Sequence, residues 1–340
     1  MPKKNYYSVK ESALNYIFSI ATMLVLSFVI FYLVGEIVSA TGKTYEDVVQ
    51  FEWLNYLNSF LSGLSFFIVF FMFNLIKKKN FVKASRLQFK FNYKVFLLVL
   101  LVAIISVFAC VNMTSFFNYL FSILTSKSVS TSLGVTINSF WEFCLILFIY
   151  ALMPAVGEEL VFRGIIYNGL REKFSAKTAI LISSLLFALI HFSIFKTFYQ
   201  FILGLILGII VYFTGSIIYS MIFHFVNNFV VLLITCLSNG KSVFEFVSWG
   251  ALEIILSIVI FIVGVLIMIA VFMLIRKICL KHKNYYKLEQ TSEPLESTYV
   301  AIEQDNGMNK DKAISGKSLI YIDIALSVLI WFLMSFGGSV

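Results

Sequence analysis

Charged side chains are scarce in this sequence. Asp, Glu, Lys and Arg together make up 13% of its 340 residues, about half the share of an ordinary soluble domain. So few charges cannot cover a water-facing surface of normal extent, and a lipid bilayer is the solvent that this composition suits. Proline occurs three times and histidine three times. Only one of the prolines, Pro154, falls within an apolar run. The four cysteines, Cys110, Cys144, Cys236 and Cys279, include no CxxC pair, and three lie in apolar runs, where cysteine behaves as a small hydrophobe. Neither a disulfide framework nor a zinc knuckle is indicated. What the chain has in quantity is apolar: 60% hydrophobic residues, 38 of them Phe, and a mean hydropathy of +0.93.

A bilayer core of about 30 Å takes about 20 helical residues. On that ruler the chain is an all-α, polytopic membrane helix bundle of about eight spans, roughly 12–35, 53–76, 95–118, 137–170, 177–195, 198–214, 216–237 and 251–275, with a ninth candidate at 318–336. The first run, from Ala13 to Val34, exceeds the roughly 7–15 residues of a signal peptide and reads as a retained span.

The formal net charge is +8. In a soluble protein that would suggest a nucleic-acid partner. Here the basic residues sit in short loops between apolar runs, so no nucleic acid is expected. Residues 77–94 hold Lys77, Lys78, Lys79, Lys83, Arg86, Lys90 and Lys94 without an acid; Arg171, Lys173 and Lys177 join the fourth and fifth runs; Arg276, Lys277, Lys281, Lys283 and Lys287 follow the eighth. The 41–52 loop instead carries Glu46, Asp47 and Glu52, and the 237–250 loop is nearly neutral. This alternation predicts a cytoplasmic N-terminus. Residues 288–317, with Pro294 and Gly307, read as a disordered polar linker. Asp323, near the cytoplasmic end of the last candidate span, reads as a snorkelling acid.

Ionisable groups deep in a span cost about 2.5–3.5 kcal/mol each on insertion scales. Glu36, Glu142 and Glu253 avoid this by falling near span ends. The exception is the run Pro154 to Gly164, which buries Glu158, Glu159 and Arg163 inside the fourth span. Glu159 and Arg163 are i and i+4 and can pair, whereas Glu158 points about 100° away. A purely structural ion pair would explain Glu159 and Arg163, but it leaves Glu158 unexplained. Pro154 removes the N–H that would bond the Tyr150 carbonyl and loosens the helix one turn before Glu158.

Of the histidines, His282 lies in a basic loop, but His191 and His224 lie at span depth. A single membrane histidine is often only an interhelical hydrogen-bonding group; two beside a carboxylate cluster suggest more. Glu158 and His191 are equidistant from the turn between Phe174 and Ser175 and therefore level in an antiparallel hairpin. His224, nine residues past Gly215, lies about 13 Å from the same edge. One polar site of Glu158, His191, His224 and Asn228 is thus permitted. Gly204 and Gly208 form a GxxxG, read as close helix contact.

These residues resemble the three motifs of the CAAX protease and bacteriocin-processing family, which includes the type II CAAX prenyl endopeptidases. EExxxR is matched by Glu158, Glu159 and Arg163, FxxxH by Phe187 and His191, and HxxxN by His224 and Asn228. The resemblance implies an intramembrane endopeptidase: Glu158 and His191 would activate a water, His224 and Asn228 would stabilise the oxyanion, and Glu159 with Arg163 would hold the constellation. It leaves the metal question open. Glu158, His191 and His224 are the candidate ligands for a divalent ion such as zinc, yet no HExxH is present and the residues equally suit metal-free water activation. The implied partners are the bilayer and a peptide or membrane-protein substrate. The flanks of the first motif are similar to those of bacterial members, which implies a bacterial plasma membrane. An inactive scaffold or regulator of the same fold, for example in bacteriocin immunity, is the alternative reading. A proton-coupled transporter is the third, although no repeated broken helices support it. The expected organisation is an N-terminal region of three spans (1–136), a core that would carry the chemistry (137–237), a further span with a basic end (238–287), and a polar linker with a last candidate span (288–340).

Overall fold

The computed structural model describes residues 6–49, 51–88, 90–125, 139–237, 250–281 and 316–336. His282, Glu289, the linker to residue 315 with Pro294 and Gly307, and most of the 237–250 loop lie outside the described residues. Among the described residues every regular element is helical. Eight helices are long and apolar enough to cross a membrane, as the composition requires. The chain is an all-α polytopic bundle.

In order, α1 is Val9–Thr41, α2 Tyr45–Val49, α3 Glu52–Lys77, α4 Phe81–Ala84 and α5 Tyr93–Thr125. Helix α6 is the continuous run Phe140–Leu170. Then follow α7 Ala176–Leu189, α8 Ile194–Thr214, α9 Ile217–Leu237, α10 Ala251–Lys281 and α11 Gly316–Phe336. Helix α1 starts on a capping box: Ser8 accepts from the Glu11 amide and Glu11 accepts from the Ser8 amide, which satisfies two orphan donors at once. It stops at Gly42, whose φ of 68° is the left-handed conformation that glycine adopts without a Cβ penalty.

Helix α6 is the hub, packed by α3, α1, α7 and α9. It is not a plain α-helix. Two π-helical segments, Phe148–Leu152 and Phe162–Tyr167, bracket Met153–Val161. The first lies directly before Pro154, where the ring disrupts the ordinary i→i−4 ladder. In the second, the Ser12 hydroxyl donates to the carbonyls of Ile165 and Ile166 at 3.3 and 3.1 Å, so α1 supplies a donor to backbone that has left the α-helical register.

Two sequence expectations are corrected. The fifth run, expected to span at 177–195, is a helix of 14 residues, Ala176–Leu189. That is about 21 Å long, short of a bilayer core. It forms an antiparallel hairpin with α8, and the eighth long helix is instead the C-terminal α11. The span total of about eight is met with a different membership. The hairpin is sealed by the GxxxG: a Cβ on Gly204 would lie 2.9 Å from Ser184 Cα, and one on Gly208 would lie 3.0 Å from Ile180 Cγ2. Lipid offers little hydrophobic drive between helices, so such close approach is what holds them together. The second correction is Asp323. It does not snorkel: it is 1% exposed, and neither carboxylate oxygen has a hydrogen-bond partner. It lies on the face of α11 that packs against α1, so helix docking has buried what the sequence left free to reach water.

Candidate active site

The central α-helical stretch of α6 carries Glu158 and Glu159 on different faces. Glu159 and Arg163, one turn apart, are both fully buried and joined by a 2.7 Å ion pair from Nη1 to Oε1. Arg163 Nη2 donates to the Gly204 carbonyl of α8 at 3.0 Å. Its guanidinium carbon lies 4.5 Å from the centre of the Phe187 ring of α7. One arginine therefore binds three helices, using charge, a hydrogen bond and a cation–π contact.

Phe187 is the platform on which the other groups meet. Its ring lies edge-on to His191 at 5.2 Å and to His224 at 6.0 Å, and against Phe162 at 5.1 Å. His191 lies in the turn after α7, followed by Phe192 at a left-handed φ of 47°. Its Nδ1–H donates to the Phe187 carbonyl at 2.8 Å. Because a carbonyl only accepts, this bond sets the tautomer and leaves Nε2 as a free acceptor. His224, 2% exposed on α9, donates from Nδ1 to Glu159 Oε1 at 3.3 Å. Its Nε2 lies 3.9 Å from Glu158 Oε2, beyond hydrogen-bond length. The Glu158 side chain retains 12% exposure. It is thus the one member of the acidic pair not held by Arg163.

The structure brings Glu158, Glu159, Arg163, His191 and His224 together from α6, the α7–α8 turn and α9. The neighbour of Glu158 is His224, however, and no ion pair joins Glu158 to His191. Asn228 is half-buried, and its amide lies 3.5 Å from the Tyr150 carbonyl, the acceptor whose ordinary partner Pro154 lacks. Sequence reasoning missed Asn227, fully buried beside it. Asn227 accepts from the Tyr199 hydroxyl at 2.9 Å and donates to Ser106 at 3.1 Å, tying α9 to α8 and α5. Two adjacent asparagines at span depth were the available signal. The Gly204 carbonyl, an essential acceptor for Arg163, had no side-chain signal at all.

Among the described residues no three His, Cys, Asp or Glu side chains converge as a ligand set. Glu158, His191 and His224 remain the candidate ligands: each histidine bonds through Nδ1, His191 to a carbonyl and His224 to Glu159, which leaves Nε2 for a ligand.

The family model described as type II CAAX prenyl endopeptidase Rce1-like matches residues 139–230. That stretch contains all three motifs and α6 to α9 up to Val230, and it bears out the resemblance to the CAAX protease family read from the motifs. No curated protein and no solved structure matches the chain.

Proposed function

We propose that this chain is an intramembrane endopeptidase that hydrolyses a peptide bond with a water activated by Glu158 and His191. The match to a CAAX endopeptidase family supports protease activity at the family level. The observation that carries the finer reading is that His191 and His224 both lie against the Phe187 ring, that His224 lies 3.9 Å from Glu158, and that the buried Glu159–Arg163 pair lies beside them.

In this reading a water lies between the Glu158 carboxylate and Nε2 of His191. Glu158 takes one proton as the oxygen attacks the peptide carbonyl. The Asn228 amide donates to the developing oxyanion, and His224, whose Nδ1–H is given to Glu159, adds a second donor from Nε2 when the ring carries both protons; preorganised donors there are worth several kcal/mol. The tetrahedral intermediate collapses with proton return from Glu158 to the leaving nitrogen. Glu159 orients His224 through Nδ1, and Arg163 fixes Glu159. The substrate class is a peptide or membrane protein reaching the site from the bilayer, and the N-terminus is cytoplasmic in a bacterial plasma membrane.

The test is Glu158→Gln at matched membrane abundance. It conserves shape and removes the base, so cleavage should fall by about 10²–10⁴-fold while the protein still inserts. Full retention of biological function in this variant would instead establish a scaffold or regulator.

A further inference from the structure

The His191 turn, residues 190–193, is irregular backbone at the end of a helix too short to span. Such backbone is tolerated at membrane depth only where protein buries it and satisfies its polar groups. Local bonds satisfy the amides of Ile190, His191 and Phe192, but no local side chain caps the start of α8. Ser193 occupies the N-cap of α8, yet its side chain makes no cap hydrogen bond, and the first amides of a helix are orphan donors.

The missing acceptor comes from α11, which lies outside the family match. Ser335 Oγ accepts from the Ile194 amide at 3.1 Å in a buried contact. One turn earlier, Trp331 Nε1 donates to Thr197 Oγ1 at 2.7 Å, and Thr197 in turn donates to the Ser193 carbonyl at 2.7 Å. Another turn earlier, Ser327 bonds the Tyr16 hydroxyl at 2.9 Å, which donates to the Leu186 carbonyl at 3.2 Å in the last turn of α7. Ser327, Trp331 and Ser335 follow i, i+4 spacing and form one polar stripe on an otherwise apolar helix. At its other end Lys317 lies 5.3 Å from the centre of the Phe174 ring, so α11 runs parallel to α7 from base to turn.

From these contacts we infer that α11 is a positioning element for His191, with Ser335 and Trp331 as its positioning residues. Ser335 supplies in trans the cap that Ser193 does not make. Together the two side chains hold the 190–197 backbone so that the His191 ring keeps its bond to the Phe187 carbonyl and presents Nε2 to the site. The catalytic consequence rests on the endopeptidase reading; the structural one does not.

The experiment uses the full chain with ¹⁵N-labelled histidine, in which His191→Gln assigns the His191 ring signal. Ser335→Ala and Trp331→Phe should each shift that signal and leave the His224 signal in place, while Ser335→Thr should restore it. Leu329→Ala, on the lipid-facing side of α11, should leave it unmoved. Cleavage should show kcat lowered by about tenfold with KM unchanged, the scale of one lost hydrogen bond. An unmoved His191 signal in both Ser335→Ala and Trp331→Phe would overturn the inference. A shifted signal in a chain that cleaves nothing would uphold the positioning role and remove the endopeptidase reading alone.

Discussion

Glu159 Oε1 is shared between Arg163, at 2.7 Å, and Nδ1 of His224, at 3.3 Å. One carboxylate oxygen thus couples the ion pair within α6 to the histidine on α9. Arg163→Ala removes the counter-charge and leaves Glu159 buried and ionised, a loss of about 3–5 kcal/mol. Protein abundance and thermal stability should both fall, and activity with them. Arg163→Lys keeps the charge but cannot reach Glu159 and the Gly204 carbonyl with a planar fork, so it should rescue abundance only in part. Normal melting of Arg163→Ala in detergent would show that the pair does not hold the bundle.

The glycines of α8 should differ in their tolerance of alanine. A Cβ on Gly204 meets backbone at 2.9 Å, whereas one on Gly208 meets a side chain at 3.0 Å that can move. Gly204→Ala should cost about 1–3 kcal/mol by overpacking, and it should also disturb Arg163, which is bonded to the Gly204 carbonyl. Gly208→Ala should cost less. Thermal unfolding of both variants checks the order.

Asp323 is buried without a partner on either oxygen. Removing a buried, unsatisfied acidic group should stabilise by about 1–3 kcal/mol. Asp323→Asn and Asp323→Leu should therefore both melt higher than the wild type. A lower melting temperature for both would mean that the carboxylate has a partner worth more than its burial costs.

Lys79 bonds the Tyr6 carbonyl at 2.7 Å and Glu11 at 3.2 Å, and Glu172 accepts from the Val9 amide at 2.9 Å. The N-terminus, the 77–94 loop and the α6–α7 turn thus share one end of the bundle. The proposed orientation puts that end in the cytoplasm. Cysteines placed at positions 79 and 289 should resist an impermeant thiol reagent in intact cells and react after lysis. Labelling of either from outside would reverse the orientation.

Metal-free water activation is likewise a proposal. Purified protein should contain well under one equivalent of zinc, and cleavage should survive a strong chelator. Stoichiometric zinc lost with activity in His191→Ala would replace the mechanism with a metal-assisted one.

Much of this molecule could be read from the chain because the bilayer imposes strict terms. Apolar runs of spanning length must be helices, and ionisable groups within them are costly. The bundle, the Glu159–Arg163 pair and the close contact at Gly204 and Gly208 follow from spacing alone, and the three motifs from residue identity. Tertiary structure decided what depends on partners distant in sequence. Whether α7 spans was settled by its length as folded, with His191 in the turn that ends it. The bond of His224 to Glu159 and its approach to Glu158 required the packing of α9 on α6. Asp323 became buried only when α11 docked on α1. The amide of Ile194 and the carbonyl of Gly204 carry no side-chain signature, so their bonds to Ser335 and Arg163 exist only in the folded bundle.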